Sequence, residues 1–344
     1  MTNFEKLTAT LMQLFIDLQI GISLPLRKML STLTACLLEG TPAHLTALAE
    51  ALPDIDTAQV AKEQRIRRFL SNPRLSPIQL LPVFIHILHP LLILFPALVL
   101  SVDRTCWKKR KRHINILMVS VAFRGRAIPL YWIVKDRAGN SSLSEWKQVL
   151  TPVITHLQAR PGFSTKPLIV VADREFASPK LAEWLHTTYH VESVLRLKRS
   201  AYLCDQEPSV QLAELLQYFP QGETRVYHHI TVTQTSTFLV HVVITWGKQY
   251  EEPLIIMSTS EEANTSIRRY RQRFGIEPMF KDQKSNGFDL QRTKVTDPKR
   301  IDTLLLVMAF AHVLCTSEGY RRECSGDAKK NAFTADSFDR SVYS

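Results

Sequence analysis

The stretch PLIVVAD, residues 167–173, decides the class of fold. Leu168 to Ala172 are apolar without a break, and the run stops on Asp173. A strand that is apolar on both sides is buried on both sides. That fits the interior of a partly parallel sheet covered by helices. Working outward, ALVLSVD at 97–103 repeats the pattern and stops on Asp103. HINILMVSVAF (113–123) and RAIPLYWIV (126–134) read as a hairpin joined by Arg124–Gly125, with Gly125 in the turn. Ser144–Leu157 carries Trp146, Val149, Leu150 and Ile154 at helical spacing. Pro179–Tyr189 reads as a crossover helix and His190–Leu197 as another strand. Three strands, helix, strand, helix, strand predict an α/β protein with a mixed sheet and helices on its faces.

The flanks differ from this centre. Residues 1–95 look helical, in Phe4–Leu18, Pro25–Leu38 and TPAHLTALAEAL, where Thr41 caps and Pro42 takes the first position. AKEQRIRRFLSNPR then sets Arg65, Arg67, Arg68 and Arg74 around Ile66, Phe69 and Leu70. It reads either as a DNA-contacting helix or as a charged cap over the core. Residues 200–260 turn β-rich, with strands expected at Arg225–Thr233, Thr237–Thr245 and Glu252–Met257, and read as an inserted β unit. Pro298–Cys315 is an apolar helix expected to pack on the sheet. The polar tail from Ser317 is expected to be loosely held.

The 344 residues are 45% apolar, enough for a sizeable core, and carry a net charge of +11, which favours an anionic partner such as nucleic acid. The five cysteines form no close pair and no metal-ligand spacing, and read as reduced cytosolic residues. The N-terminus lacks the pattern of a signal peptide. Ile78–Leu100 is long enough to span a bilayer, but Pro82, Pro90 and Pro96 divide it into a buried helix and a strand, so no membrane is expected. His228, His229 and His241 lack convergent spacing and read as strand residues.

Carboxylates at strand ends sit where a sheet meets solvent. If their strands are neighbours, Asp103 and Asp173 share one place. A third acid lies in YRQRFGIEPMFKDQK, where Tyr270, Arg273, Glu277, Lys281 and Lys284 stay near one helical face. Pro278 and Gly275 predict a kink there, or a new helix starting near Pro278. Three oxygen ligands suit Mg²⁺ or Mn²⁺ rather than zinc, and two such ions suit phosphodiester chemistry. Glu175, two residues past Asp173, is a spare ligand or a salt-bridge partner. Arg104 is expected to pair with a nearby carboxylate, and Trp107 to pack under the site.

VDRTCW (102–107), VVADREF (170–176) and Tyr270-x2-Arg273-x3-Glu277-x6-Lys284 together resemble the DDE transposases of the insertion-sequence-4 family, and RIRRFLSN (65–72) resembles their upstream helical segment. The resemblance spans nearly the whole chain. It implies a ribonuclease H-like α/β fold with an N-terminal helical region and a β-rich insertion. The divisions would be 1–95 helical and DNA-contacting, 96–199 and 261–318 the two parts of the catalytic domain, 200–260 the insertion, and 319–344 the tail. Asp103, Asp173 and Glu277 would be the catalytic acids holding two Mg²⁺ ions, with Mn²⁺ as substitute. The activity implied is cut-and-paste DNA transposition through a hairpin. A homodimer would hold two inverted repeats and a target DNA, in the bacterial cytoplasm at the nucleoid. A same-fold nuclease that does not join strands, and a silent DNA-binding protein, are the alternatives.

Within that scheme Arg273 and Lys284 clamp the scissile phosphate, Tyr270 donates to a backbone phosphate, and Lys281 adds positive potential. Trp246 is either a stacking platform for a flipped base or a half-buried strand residue. Lys108, Lys109, Arg110, Lys111 and Arg112 are either DNA-backbone contacts or a charge-guarded hairpin edge.

Overall fold

The computed structural model describes residues 2–53, 56–109, 111–204 and 209–325. Helices α1 (Asn3–Asp17), α2 (Leu24–Leu38), α3 (Leu45–Glu50), α4 (Gln59–Leu70) and α5 (Pro77–Leu92) come first. Thr2 and Glu5 close a reciprocal capping box on α1. The cap expected at Thr41 is instead made by His44, whose Nδ1 accepts from the Ala47 amide. The membrane-length stretch divides as expected. α5 ends at Leu92, and Leu80, Leu81, Phe84, Ile85 and Leu88 are buried in the core.

The centre follows the predicted order: β1 (Leu98–Lys109), β2 (Arg112–Phe123), β3 (Arg126–Lys135), α6 (Leu143–Gln158), β4 (Leu168–Ala172), α7 (Pro179–Tyr189) and β5 (Glu192–Arg196). Arg124 and Gly125 both take positive φ in the β2–β3 turn, as a two-residue hairpin requires. β1 pairs antiparallel with β2, and β2 with β3, whereas β1–β4 and β4–β5 are parallel. This is the ribonuclease H-like α/β fold with a mixed sheet.

After β5 come β6 (Tyr202–Leu203), β7 (Val210–Gln211), α8 (Leu212–Leu215), β8 (Thr224–Ile230), β9 (Val240–Thr245) and β10 (Leu254–Ser258). β8, β9 and β10 do not form a separate unit. β10 pairs antiparallel with β5, and the sheet runs on as β3-β2-β1-β4-β5-β10-β9-β8. The reason is edge protection: β5 would otherwise expose a row of unpaired amides and carbonyls.

α9 (Ala263–Arg271), a 3-10 turn (Gln272–Gly275) and α10 (Ile276–Lys281) then cross the sheet. Alternation in β4 explains the two layers. Val170 and Ala172 belong to the main core, whereas Ile169 and Val171 join Val99, Val194, Val243 and Ile256 in a second cluster under Ile267 and Tyr270 of α9. α11 (Pro298–Ser325) closes the fold. Sequence places the tail from Ser317 outside the fold, but the helix continues to Ser325. Tyr320 packs edge-on to Phe123, and Glu318 pairs with Arg321 and Arg322. α11 is long and apolar enough to cross a membrane, and two-thirds of its most apolar window is buried inside the protein.

Candidate active site

β1 and β4 are parallel neighbours with Val102 opposite Ala172, so the next residue on each, Asp103 and Asp173, comes to the same end of the sheet. The crossing helical segment brings the third acid. It reaches the site by close approach: a Cβ on Gly275 would stand 2.7 Å from the carbonyl carbon and oxygen of Arg126. Only glycine fits there without displacing backbone. Pro278 falls in the first turn of α10, where no amide is needed. The predicted break is therefore real: a 3-10 turn, then a new helix from Ile276.

Arg273 is the hub. Its side chain is 4% exposed. Nη1 donates to Asp103 Oδ2 at 3.1 Å and Nη2 to Glu277 Oε1 at 2.6 Å. One guanidinium thus spans two of the three acids. Tyr270 is fully buried, and its hydroxyl donates to Asp173 Oδ1 at 3.4 Å. Arg196 Nη1 lies 3.7 Å from the same oxygen. In this structure Tyr270 therefore meets the second acid, because α9 packs it into the second core cluster. Arg273 likewise meets the acids rather than open solvent.

The electrostatics follow from burial. Desolvation pushes the Asp103 carboxyl up to about 6, against the Arg104 backbone amide at 2.7 Å and the Arg273 charge, while Asp173 and Glu277 push it further up. Burial works against the Arg273 cation, but Tyr270, Asp103, Asp173 and Glu277 more than offset it, and its pKa is raised. Burial also pushes the Tyr270 phenol up to about 12, so it stays a neutral donor.

Glu175 makes a salt bridge, one of the two roles expected of it. It accepts from Arg104 at 2.8 Å and from the Ser141 hydroxyl at 2.6 Å. Burial opposes its ionised form, but these donors outweigh burial and lower its pKa. Lys281 and Lys284 line a cleft of about 360 Å³ with Asp103, Arg104, Thr105 and Glu277. Trp107 is half-buried against the core, with the Lys284 ammonium 6.0 Å over its ring.

Other expected contacts lie elsewhere. The basic run forms the tip of the β1–β2 hairpin. Lys108 and Lys111 are exposed there, Lys109 donates to the Gln291 carbonyl at 2.8 Å, and Arg112 pairs with Asp136 at 3.4 Å. Arg110 lies outside the described residues. Arg67 pairs with Glu63 at 2.9 Å on α4, and Arg68 beside it is exposed. Trp246 follows β9, four strand steps from β1, which is roughly 19 Å at about 4.8 Å a step. It is half-buried, and its indole N–H donates to the Tyr250 carbonyl at 2.9 Å.

An aromatic that sequence reasoning missed lies closer. Phe274 is 47% exposed, and the Arg273 guanidinium sits 5.0 Å over its ring. Its position inside the Tyr270–Lys284 signature was the available signal.

Comparison with known families identifies the arrangement. The profile of the transposase DDE domain matches residues 95–314. The chain belongs to that family. The match runs from just before β1 into α11 and so takes in all three acids. The DDE-domain chain gives no significant match to any curated protein. Among solved structures it is similar to Ciona intestinalis endonuclease V in complex with a 24mer DNA containing an inosine, at 11% identity and TM-score 0.31, over 51% of this chain and 77% of that one. A variant of that enzyme with a 23mer DNA matches over 51% and 76% of the two chains, at 11% identity and TM-score 0.29. At these values no statement about the DDE-domain chain rests on the likeness.

The histidines are strand residues, as expected, but two of them converge in space. His229, His241 and Glu261 bring one ligand atom each within 4.8 Å of one another. They are spread over β8, β9 and the turn before α9, so their convergence follows from strand pairing and not from linear spacing.

Proposed function

We propose that this DDE-domain protein is a DNA transposase of the insertion-sequence-4 type, cleaving DNA at the ends of a mobile element and joining the released 3′-hydroxyl to a target. The observation that carries the proposal is the meeting of Asp103, Asp173 and Glu277 around Arg273 and Tyr270, within the stretch that matches the transposase DDE domain. The donor set is all-oxygen, and so fits Mg²⁺ or Mn²⁺. Asp103, Asp173 and Glu277 are the residues to hold them. Bound there, a pair of such ions supplies Lewis acidity to the attacking and leaving oxygens of the phosphodiester.

The protein's own groups do the rest. Asp103 must give up its proton before it can serve as a ligand, and its raised pKa makes that step costly below about pH 6. Tyr270 fixes Asp173 by its hydroxyl. Arg273 neutralises Asp103 and Glu277 in the free protein, and its guanidinium would be the group to take a phosphate if those carboxylates held cations. Lys281 and Lys284 attract the DNA backbone into the cleft. Phe274 offers a stacking surface for an unpaired base during hairpin formation. The exposed Lys108 and Lys111 at the hairpin tip, with Arg67 and Arg68 further off, extend the contact along the duplex. Two chains hold two element ends in the proposed assembly, in the bacterial cytoplasm.

The test uses the inverted repeats flanking the gene as substrate. The full chain with Mg²⁺ should nick and release the element end, and should join pre-cleaved ends to plasmid DNA. Cleavage without joining favours a same-fold endonuclease. DNA binding without cleavage by any preparation favours a silent derivative. Asp103→Asn, Asp173→Asn and Glu277→Gln should each abolish both steps while retaining DNA binding.

A further inference from the structure

At the far end of α9 from the acids, His228 and His229 on β8, His241 on β9 and Glu261 before α9 form a compact group. β9 lies three strand steps from β4, roughly 14 Å at about 4.8 Å a step, so this is not the acidic site. Consecutive strand residues normally point to opposite faces. Here they do not. Tyr227 pairs with Val242 and Ile230 with Val240, so β8 carries one residue more than β9 between these pairs. That is a bulge, and His229 takes φ +52° within it. For a non-glycine residue that conformation is uncommon and strained. The result is that both imidazoles approach His241, with ring centroids at 5.3 and 4.8 Å.

The chemistry of the group is that of a nitrogen–oxygen ligand set. His229 Nε2 lies 3.6 Å from Glu261 Oε1. His228 and His241 share a 3.2 Å hydrogen bond between their Nδ1 atoms, the kind of outer contact that orients a ligating ring. His241 is 6% exposed, so its ring is held in place within the group. A tetrahedral ion with bonds of about 2.0–2.1 Å needs donors about 3.3 Å apart. The present separations close to that by rotation of His229 and Glu261, whose side chains are 62% and 71% exposed.

We propose that His229, His241 and Glu261 form a transition-metal site of the zinc class, oriented by His228, that clips the start of α9 to the β8–β9 edge. The clip would act on a helix whose other end delivers Tyr270 and leads into Arg273. It is separate from the acidic cleft in both place and ligand type: two imidazoles and one carboxylate favour Zn²⁺ over Mg²⁺.

The experiment is a Zn²⁺ titration of the chelator-stripped full chain in millimolar Mg²⁺, followed by calorimetry, with Co²⁺ absorption to report coordination. The expected result is one Zn²⁺ per chain, a tetrahedral Co²⁺ spectrum and a higher melting temperature. His229→Asn and Glu261→Gln should each weaken binding by about tenfold or more, and His228→Gln by about 10–100-fold. Asparagine tolerates the left-handed conformation, so His229→Asn keeps the fold. Asp103→Asn should bind Zn²⁺ like the wild type. Zinc affinity unchanged by the histidine and Glu261 substitutions, or abolished by Asp103→Asn, overturns the proposal. So does an absence of binding at micromolar Zn²⁺.

Discussion

Asp103→Asn tests the electrostatic account of the acidic site without any DNA. The Asp103 carboxyl, with ordinary value 3.8, is pushed up to about 6 because burial outweighs the Arg104 amide and Arg273. An acid with a raised pKa holds its proton longer in the folded state than in the unfolded one. Between about pH 4 and 6 the unfolded chain has released that proton and the folded chain has not. Stability therefore falls as pH rises through this window. The shift of about 2 units at 1.36 kcal/mol each makes the loss about 3 kcal/mol, to order of magnitude. Asparagine keeps the acceptor for the Arg104 amide and carries no charge to desolvate.

The wild-type profile alone will not show this. Asp302, pushed up to about 6 by burial, has the same sign, whereas buried His312, pulled down to about 4, loses stability as pH falls. Both are present in both proteins, so the difference between variant and wild type isolates Asp103. That difference should be near zero at pH 4 and reach about 3 kcal/mol in favour of asparagine by pH 7, in chelator. With unfolding entropy near 2.1 cal/mol/K per residue, this is roughly 4 °C in melting temperature. Melts by circular dichroism across pH measure it. Two curves that run parallel from pH 4 to 7 would show that Asp103 ionises at its ordinary value in the folded protein, and the account of a desolvated acid would be wrong.

Arg273→Ala should destabilise the metal-free chain by about 3–5 kcal/mol, because it leaves Asp103 and Glu277 without their shared counter-charge; denaturant titration checks this, and Mg²⁺ should restore part of the loss. Gly275→Ala puts a methyl 2.7 Å from the Arg126 backbone and should cost about 1–3 kcal/mol and most of the cleavage; thermal melts and an end-cleavage assay read the two effects. Lys108→Ala with Lys111→Ala should weaken binding of any duplex and reduce the slope of log K against log salt by up to about 2, near 0.9 for each phosphate no longer neutralised. An unchanged slope places the hairpin tip away from DNA.

The central fold was legible because its strands carry their own signal. PLIVVAD and ALVLSVD announce a doubly covered sheet, and the apolar spacing of Trp146, Val149, Leu150 and Ile154 marks α6, which starts one residue before the expected Ser144. The place of β8–β10 was not legible, since alternation marks a strand but not the edge it joins. The three acids were legible as a set, but the position of Arg273 among them was not. Its spacing from Glu277 permits a pair, whereas the bond to Asp103 spans 170 residues and depends on how α9 crosses β1. His228, His229 and His241 were legible as strand residues, but their meeting was not, for a similar reason. His229 faces His241 only because β8 bulges, and nothing in YHHI announces a bulge.

These contacts bear on how the site is switched on. A buried arginine that already satisfies Asp103 and Glu277 makes the free protein self-neutralised, so cations and DNA binding there, as proposed, would have to displace an internal ion pair. Cations alone free Arg273 into a site that is 4% exposed, where an unpaired charge is costly. A phosphate alone meets two carboxylates and is repelled. Together they would satisfy every charge: the carboxylates would hold the cations and the guanidinium the phosphate. Metal and DNA binding should therefore be cooperative, with each raising affinity for the other by the same factor. Titrating the wild type with Ca²⁺, to prevent turnover, with and without an element-end duplex measures that factor. Independent binding would mean that Arg273 does not move between the two partners.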